Sequence, residues 1–117
     1  MNLADKDGHT PLHIASNECK PRIIETLLAS GANINSQNRR NRTPLHSAVL
    51  KKSLDCVKVL LRPQSRSGNA LDINIQDSDG DTALHDAITI GSDDITELLI
   101  GFPGIDFTRC NLRGFDV

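Results

Sequence analysis

The chain has 117 residues, 38% of them hydrophobic, and a net charge of −2, the balance of a soluble folded protein rather than a disordered one. No apolar run approaches the roughly 20 residues that span a bilayer, and the N-terminus has no basic-then-apolar signal pattern. Three scattered cysteines (Cys19, Cys56, Cys110) with no Cys-x-x-Cys pair argue against a disulfide scaffold or zinc site and for a reducing, cytoplasmic setting.

The first element is a turn at Asp7-Gly8, where a tight reversal needs positive φ. Thr10 then suits a helix N-cap, with Pro11 at the first helical position, where no amide donor is needed. This predicts a short helix over 11–18, and Ile23-Ile24 with Leu27-Leu28 predict a second over 21–30. The same phrase returns at Arg40-Asn41, Thr43 and Pro44, predicting helices over 44–51 and 54–62. "RPQSRSGNALD" at 62–72 holds six extra residues and reads as an exposed loop. A third copy at Asp79-Gly80 and Thr82 predicts helices over 83–90 and 93–101. Ser53 and Ser92 are placed to cap the later second helices, and Asp93-Asp94 favours a positive helix N-terminus. Ala15, Ala48 and Ala87 are small, as close helix packing requires. With three Phe and no Tyr or Trp, the core must be aliphatic and thin.

Thr10, Thr43 and Thr82 are 33 and then 39 residues apart, the period of a solenoid. Thr-Pro-Leu-His followed by Ala, the Leu-Leu pair and "GANIN" at 31–35 resemble the ankyrin repeat, over essentially the whole chain. The resemblance implies an all-α solenoid in which a β-hairpin-like turn precedes a helix-turn-helix. Repeat 1 covers 2–34, repeat 2 covers 35–73 with the insertion 62–72, and repeat 3 covers 74–107. Residues 108–117 read as the start of a fourth, so the chain is expected to be an excerpt of a longer array. The family puts Gly between its two helices; here only Gly91 matches, with Cys19 and Lys52 at that position. A non-Gly residue in the left-handed region costs on the order of 1 kcal/mol, so repeats 1 and 2 are expected to bend differently there.

His13, His46 and His85 recur beside Thr10, Thr43 and Thr82 and so raise the question of catalysis or metal binding. Identical placement spaces the rings by about one repeat, near 10 Å, too far to share a metal. No serine or cysteine nucleophile is spaced to match, and His85-Asp86 are neighbours on a helix that point in different directions. The reading is architectural: each imidazole bonds turn backbone and threonine hydroxyl. No enzyme, cofactor or metal is expected.

Function is sought where the repeats disagree. Fingertips and first-helix faces line a concave surface, on which ankyrin proteins commonly bind partners. Repeat 2 offers Arg39, Arg40, Arg42 and Lys51 there, and repeat 3 offers Asp79 and Asp81. Residues 36–71 hold eight Lys/Arg and one acid, whereas 72–106 hold nine acids and no Lys or Arg. Such polarity can steer and orient a charged protein or peptide of mixed charge. Alternatively, Arg40 pairs with Asp79 and Arg42 with Asp81 across the repeats, and the array is a structural spacer. Nucleic acid is disfavoured, because the basic segment lacks an aromatic for base stacking and the acidic block repels phosphates. Neither a membrane nor a small-molecule substrate is expected.

Two finer resemblances remain. "LASGANIN" at 28–35 resembles the surroundings of ankyrin asparagines hydroxylated by an intracellular asparaginyl hydroxylase, with Asn35 as target and Asn33 departing from the usual Asp. "DSDGDTALHDAI", "DDITELL", "PGID" and "NLRGF" within 77–115 are similar to the ankyrin region of mind bomb-type E3 ubiquitin ligases. That similarity implies a substrate-positioning role in a ligase acting on Notch-ligand tails, with catalysis in RING domains elsewhere. Three scattered cysteines cannot make a RING.

Overall fold

The structure is a computed structural model that describes residues 8–62 and 71–106. Most of the insertion, the start of a fourth repeat and Cys110 lie outside them. Among the described residues there are six helices and no strand: α1 (Pro11–Asn17), α2 (Pro21–Ala29), α3 (Pro44–Leu50), α4 (Leu54–Leu61), α5 (Ala83–Ile90) and α6 (Asp93–Ile100). Helices α1, α3 and α5 stack in one layer and α2, α4 and α6 in another, with each repeat's pair packed across the layers.

The first helix of every repeat begins in the same way. Thr10, Thr43 and Thr82 sit in extended backbone, and each hydroxyl accepts the backbone N–H of the histidine three residues on. That histidine's Nδ1 accepts the threonine's own N–H, at 3.1, 3.1 and 3.0 Å. Two orphan donors are satisfied reciprocally, with His in the place usually held by Glu or Gln.

Two expectations about the second helices need correction. Ser53 and Ser92 occupy N-cap positions, but their side chains make no capping bond. Their ψ angles are 90° and 100°, against 166–171° at the capping threonines. The turns ahead of them do not differ either. Cys19, Lys52 and Gly91 are all left-handed, at φ 58°, 55° and 74°. In each, the next residue's N–H reaches back to Ala15, Ala48 or Ala87 at 3.0–3.1 Å. That bond, and the burial of both helices it joins, outweigh the local cost of a side chain at positive φ.

The core is a thin aliphatic seam. Leu12, Ile24, Ile34, Leu45, Val57, Leu60, Leu84, Ile95 and Leu99 are fully buried, and Ala15, Ala48 and Ala87 sit at the helix contacts. Of the exposed large apolar residues, Ile14, Ile23, Ile88 and Ile100 fall on the first and third repeats and Leu50 on the middle one. Ile23 is half exposed, whereas Cys56 and Ile95 at its register position are buried. Ile88 is half exposed, whereas Ser16 and Val49 are buried. Stacking of one repeat on the next accounts for the difference.

Candidate interaction groove

The fingertips are built by two side chains at one register position. Asn38 Oδ1 accepts the N–H groups of Arg40 and Arg42 at 2.9 and 3.0 Å. Asp77 Oδ1 accepts those of Asp79 and Asp81 at 2.9 and 3.0 Å. Gly8, Asn41 and Gly80 supply the positive φ that closes each turn, at 78°, 60° and 81°. The fingertips then join: Ser78 N–H donates to the Arg40 carbonyl at 2.8 Å. Gly8 lies so close to the second fingertip that a Cβ on it would stand 3.0 Å from the Arg39 nitrogen.

The histidines also cross between repeats, which sequence reasoning missed. His13 Nε2 lies 2.8 Å from the Arg42 carbonyl, and His46 Nε2 lies 2.9 Å from that of Asp81. A carbonyl only accepts, so Nε2 carries the proton and Nδ1 is the acceptor for threonine. Both ring nitrogens are engaged. His46, Asp77 and Asp86 gather within 4.8 Å of one another, but His46 has no lone pair left for a metal. Burial pushes its pKa below the ordinary imidazole range, against the raising effect of the Asp81 carbonyl.

Arg39, Arg40, Arg42 and Lys51 come together on one groove of about 550 Å³. The fingertip supplies the arginines, and Lys51 stands at the C-terminal end of α3. His9 and Asn17 of the first repeat form the other wall, and Leu50, 37% exposed, adds an apolar patch. No acid lines this groove among the described residues.

The proposed pairing ladder is replaced by a different arrangement. Arg42 Nε lies 3.4 Å from Asp77 Oδ2, with the Asp77 side chain 1% exposed. Asp81 is buried at 4% exposure, so its carboxylate is not offered to the open face. Asp79 is exposed on the third fingertip and lies outside the groove. Asp77 could have been flagged from the sequence: it is the charged counterpart of Asn38, one repeat after a row of arginines. Asn35, by contrast, joins repeats; its Oδ1 accepts the Asp72 N–H at 2.8 Å, as Asn74 Oδ1 accepts that of Asp106.

Comparison with known proteins places residues 1–70 and 20–111 in matches to the family described as ankyrin repeats (3 copies). The chain is 36% identical over 93 residues to human neurogenic locus notch homolog protein 4, covering 80% of this chain and 4% of that protein. It is 34% identical over 100 residues to a putative ankyrin repeat protein of Acanthamoeba polyphaga mimivirus, covering 86% and 12%. It is 38% identical over 78 residues to the E3 ubiquitin-protein ligase KEG of Arabidopsis thaliana, covering 67% and 4%. The chain thus spans 4–12% of the length of these relatives. No described helix is long and apolar enough to cross a membrane.

Proposed function

The chain belongs to the ankyrin-repeat family, a non-catalytic fold that generally mediates protein–protein interaction, and we propose that its concave face binds a protein or peptide of mixed charge. The observation that carries this reading is the groove: Arg39, Arg40 and Lys51 are exposed on it, and no acid lines it among the described residues. Arg42 completes the cationic set, and Asp79 stands beyond it on the next fingertip to meet a partner's base. Asp81 contributes through its backbone, as acceptor for His46.

The competing reading is a spacer that binds nothing on this face. A lysate pull-down with the triple variant Arg39→Glu, Arg40→Glu, Lys51→Glu separates the two, once circular dichroism shows equal folding. Arg42 is left alone because a glutamate there would face the buried Asp77 carboxylate. Specific capture lost in the variant supports the binding module. Equal capture, or none, supports the spacer.

The setting is part of the same proposal. A substrate-positioning segment of an E3 ubiquitin ligase, of the mind bomb type, is favoured by the resemblance within 77–115. The plant ligase among the relatives adds general support, although a Notch homologue and a viral protein match comparably. The free thiols of Cys19 and Cys56 suit a reducing cytoplasm. Hydroxylation of Asn35 would require its side chain to leave the Asp72 amide. Mass spectrometry of the cell-expressed chain tests that modification directly.

A further inference from the structure

We infer that the groove selects acidic peptide segments and that Asp77, from the next repeat, is a positioning residue that fixes Arg42 for that task. The inference rests on the binding-module reading and names its partner chemistry.

Four cations share a space of about 550 Å³. Only Arg42 has an acidic counter-charge among the described residues; Arg39, Arg40 and Lys51 have none. Like charges held together in one concavity raise the local potential and draw in anions. A basic segment entering the same space meets repulsion alone, because the third repeat's acids stand outside it. Leu50 adds an aliphatic contact beside Lys51. An extended peptide puts alternate side chains on one face, so two acids flanking an aliphatic residue at that spacing match the lining.

The charge on Asp77 has no role in its own turn. Asn38 performs the same service, two backbone N–H bonds to Oδ1, with a neutral amide. What Asp77 adds is Oδ2, buried, without a hydrogen-bond donor, and 3.4 Å from Arg42 Nε. Burying a carboxylate is unfavourable unless it is paired, and Arg42 is the pair. Anchoring at Nε leaves both Nη groups of Arg42 for an incoming carboxylate, in the planar fork that suits it. The third repeat thereby prepares a residue of the second.

The test uses fluorescence anisotropy of the full chain with three labelled synthetic peptides. One carries Asp and Glu around a central Leu, the second has Gln and Asn in place of the acids, and the third has Lys. Binding of the acidic peptide alone, weakening as salt rises, is the expected result. Asp77→Asn keeps the turn acceptor, so its melting temperature should stay close to that of the unchanged chain. Its affinity should fall about threefold, the scale of one partly exposed charged contact. Simple removal of a negative charge would instead tighten an acidic ligand, so a gain in affinity overturns the positioning role. Failure of the acidic peptide to bind, or equal binding of the Gln/Asn or Lys peptide, overturns the selectivity. If the pull-down succeeds while all three peptides fail, this inference falls and the binding module stands; if both fail, both fall.

Discussion

His46 donates from Nε2 to the carbonyl of Asp81, 2.9 Å away and 35 residues further along the chain. His13 does the same to Arg42, 29 residues on. The residue that closes a helix cap therefore also fastens the next repeat. A glutamate at that position could satisfy the cap, but it has no proton for a carbonyl. Imidazole has an acceptor on one edge and a donor on the other, held rigidly. That pairing of roles explains why the Thr-x-x-His phrase recurs.

His46→Ala would leave the Thr43 N–H buried without this acceptor, at a cost of about 1–3 kcal/mol. It would also take one of two donors from the Asp81 carbonyl, which keeps the Asp77 N–H, at a cost of about 0.5–1.5 kcal/mol. The expected loss is about 3 kcal/mol of unfolding free energy in a urea titration. His46→Gln, which retains a donor and an acceptor, should lose less. A loss below about 1 kcal/mol for the alanine variant would show that the bond between repeats contributes little.

The same ring makes stability depend on pH. Burial lowers the His46 pKa from 6.5, so the unfolded chain takes up a proton that the native chain refuses. This contribution is complete above the unfolded value of 6.5 and is lost as pH falls from there toward the lowered native value. One proton changes stability by at most about 1.4 kcal/mol per pH unit. The melting temperature should drop on acidification below 6.5, and His46→Gln should flatten that drop.

The repeats were legible because their signals are local: threonine caps, prolines at the first helical position and positive-φ turns lie within a few residues of one another. The register also placed Arg39, Arg40, Arg42 and Lys51 on one face, and they line one groove. What the sequence did not disclose depends on stacking. Asp77 meets Arg42 only when the third repeat lies on the second, and the same stacking brings the Asp81 carbonyl to His46. Cys19 and Lys52 were misjudged for a related reason: a local strain was weighed without the tertiary packing that overrides it.

Lys52 gives that strain a number. Its φ of 55° is one that a side chain occupies at about 1–2 kcal/mol, partly offset by the greater unfolded-state freedom of glycine. Lys52→Gly should raise stability by about 0.5–1 kcal/mol, read as a higher urea midpoint with an unchanged slope. An unchanged midpoint would mean that the lysine stem recovers the cost through its own packing.

The two described cysteines should react at different rates. Cys19 is exposed, whereas Cys56 is buried, and that burial pushes its thiol pKa up, against a lowering hydrogen bond from Ser53. The thiolate is the reactive species, so both access and ionisation disfavour Cys56. Limited iodoacetamide treatment followed by peptide mapping should find Cys19 modified well before Cys56. Equal modification would mean that the α3–α4 turn opens readily in the native state.

Gly8 and Gly91 allow conformational cost to be separated from contact. Both have positive φ, 78° and 74°, so alanine at either incurs a penalty of about 1–2 kcal/mol. A Cβ at Gly91 meets nothing within 4 Å, whereas one at Gly8 would stand 3.0 Å from the Arg39 nitrogen. Backbone on that side is fixed by the Asn38 bonds to Arg40 and Arg42, so relief requires moving the second fingertip. Gly8→Ala should therefore destabilise the chain more than Gly91→Ala in parallel urea titrations, and it alone should weaken the acidic peptide. If the two variants match in both assays, the first repeat yields without disturbing the fingertip, and the groove's shape does not depend on close stacking at Gly8.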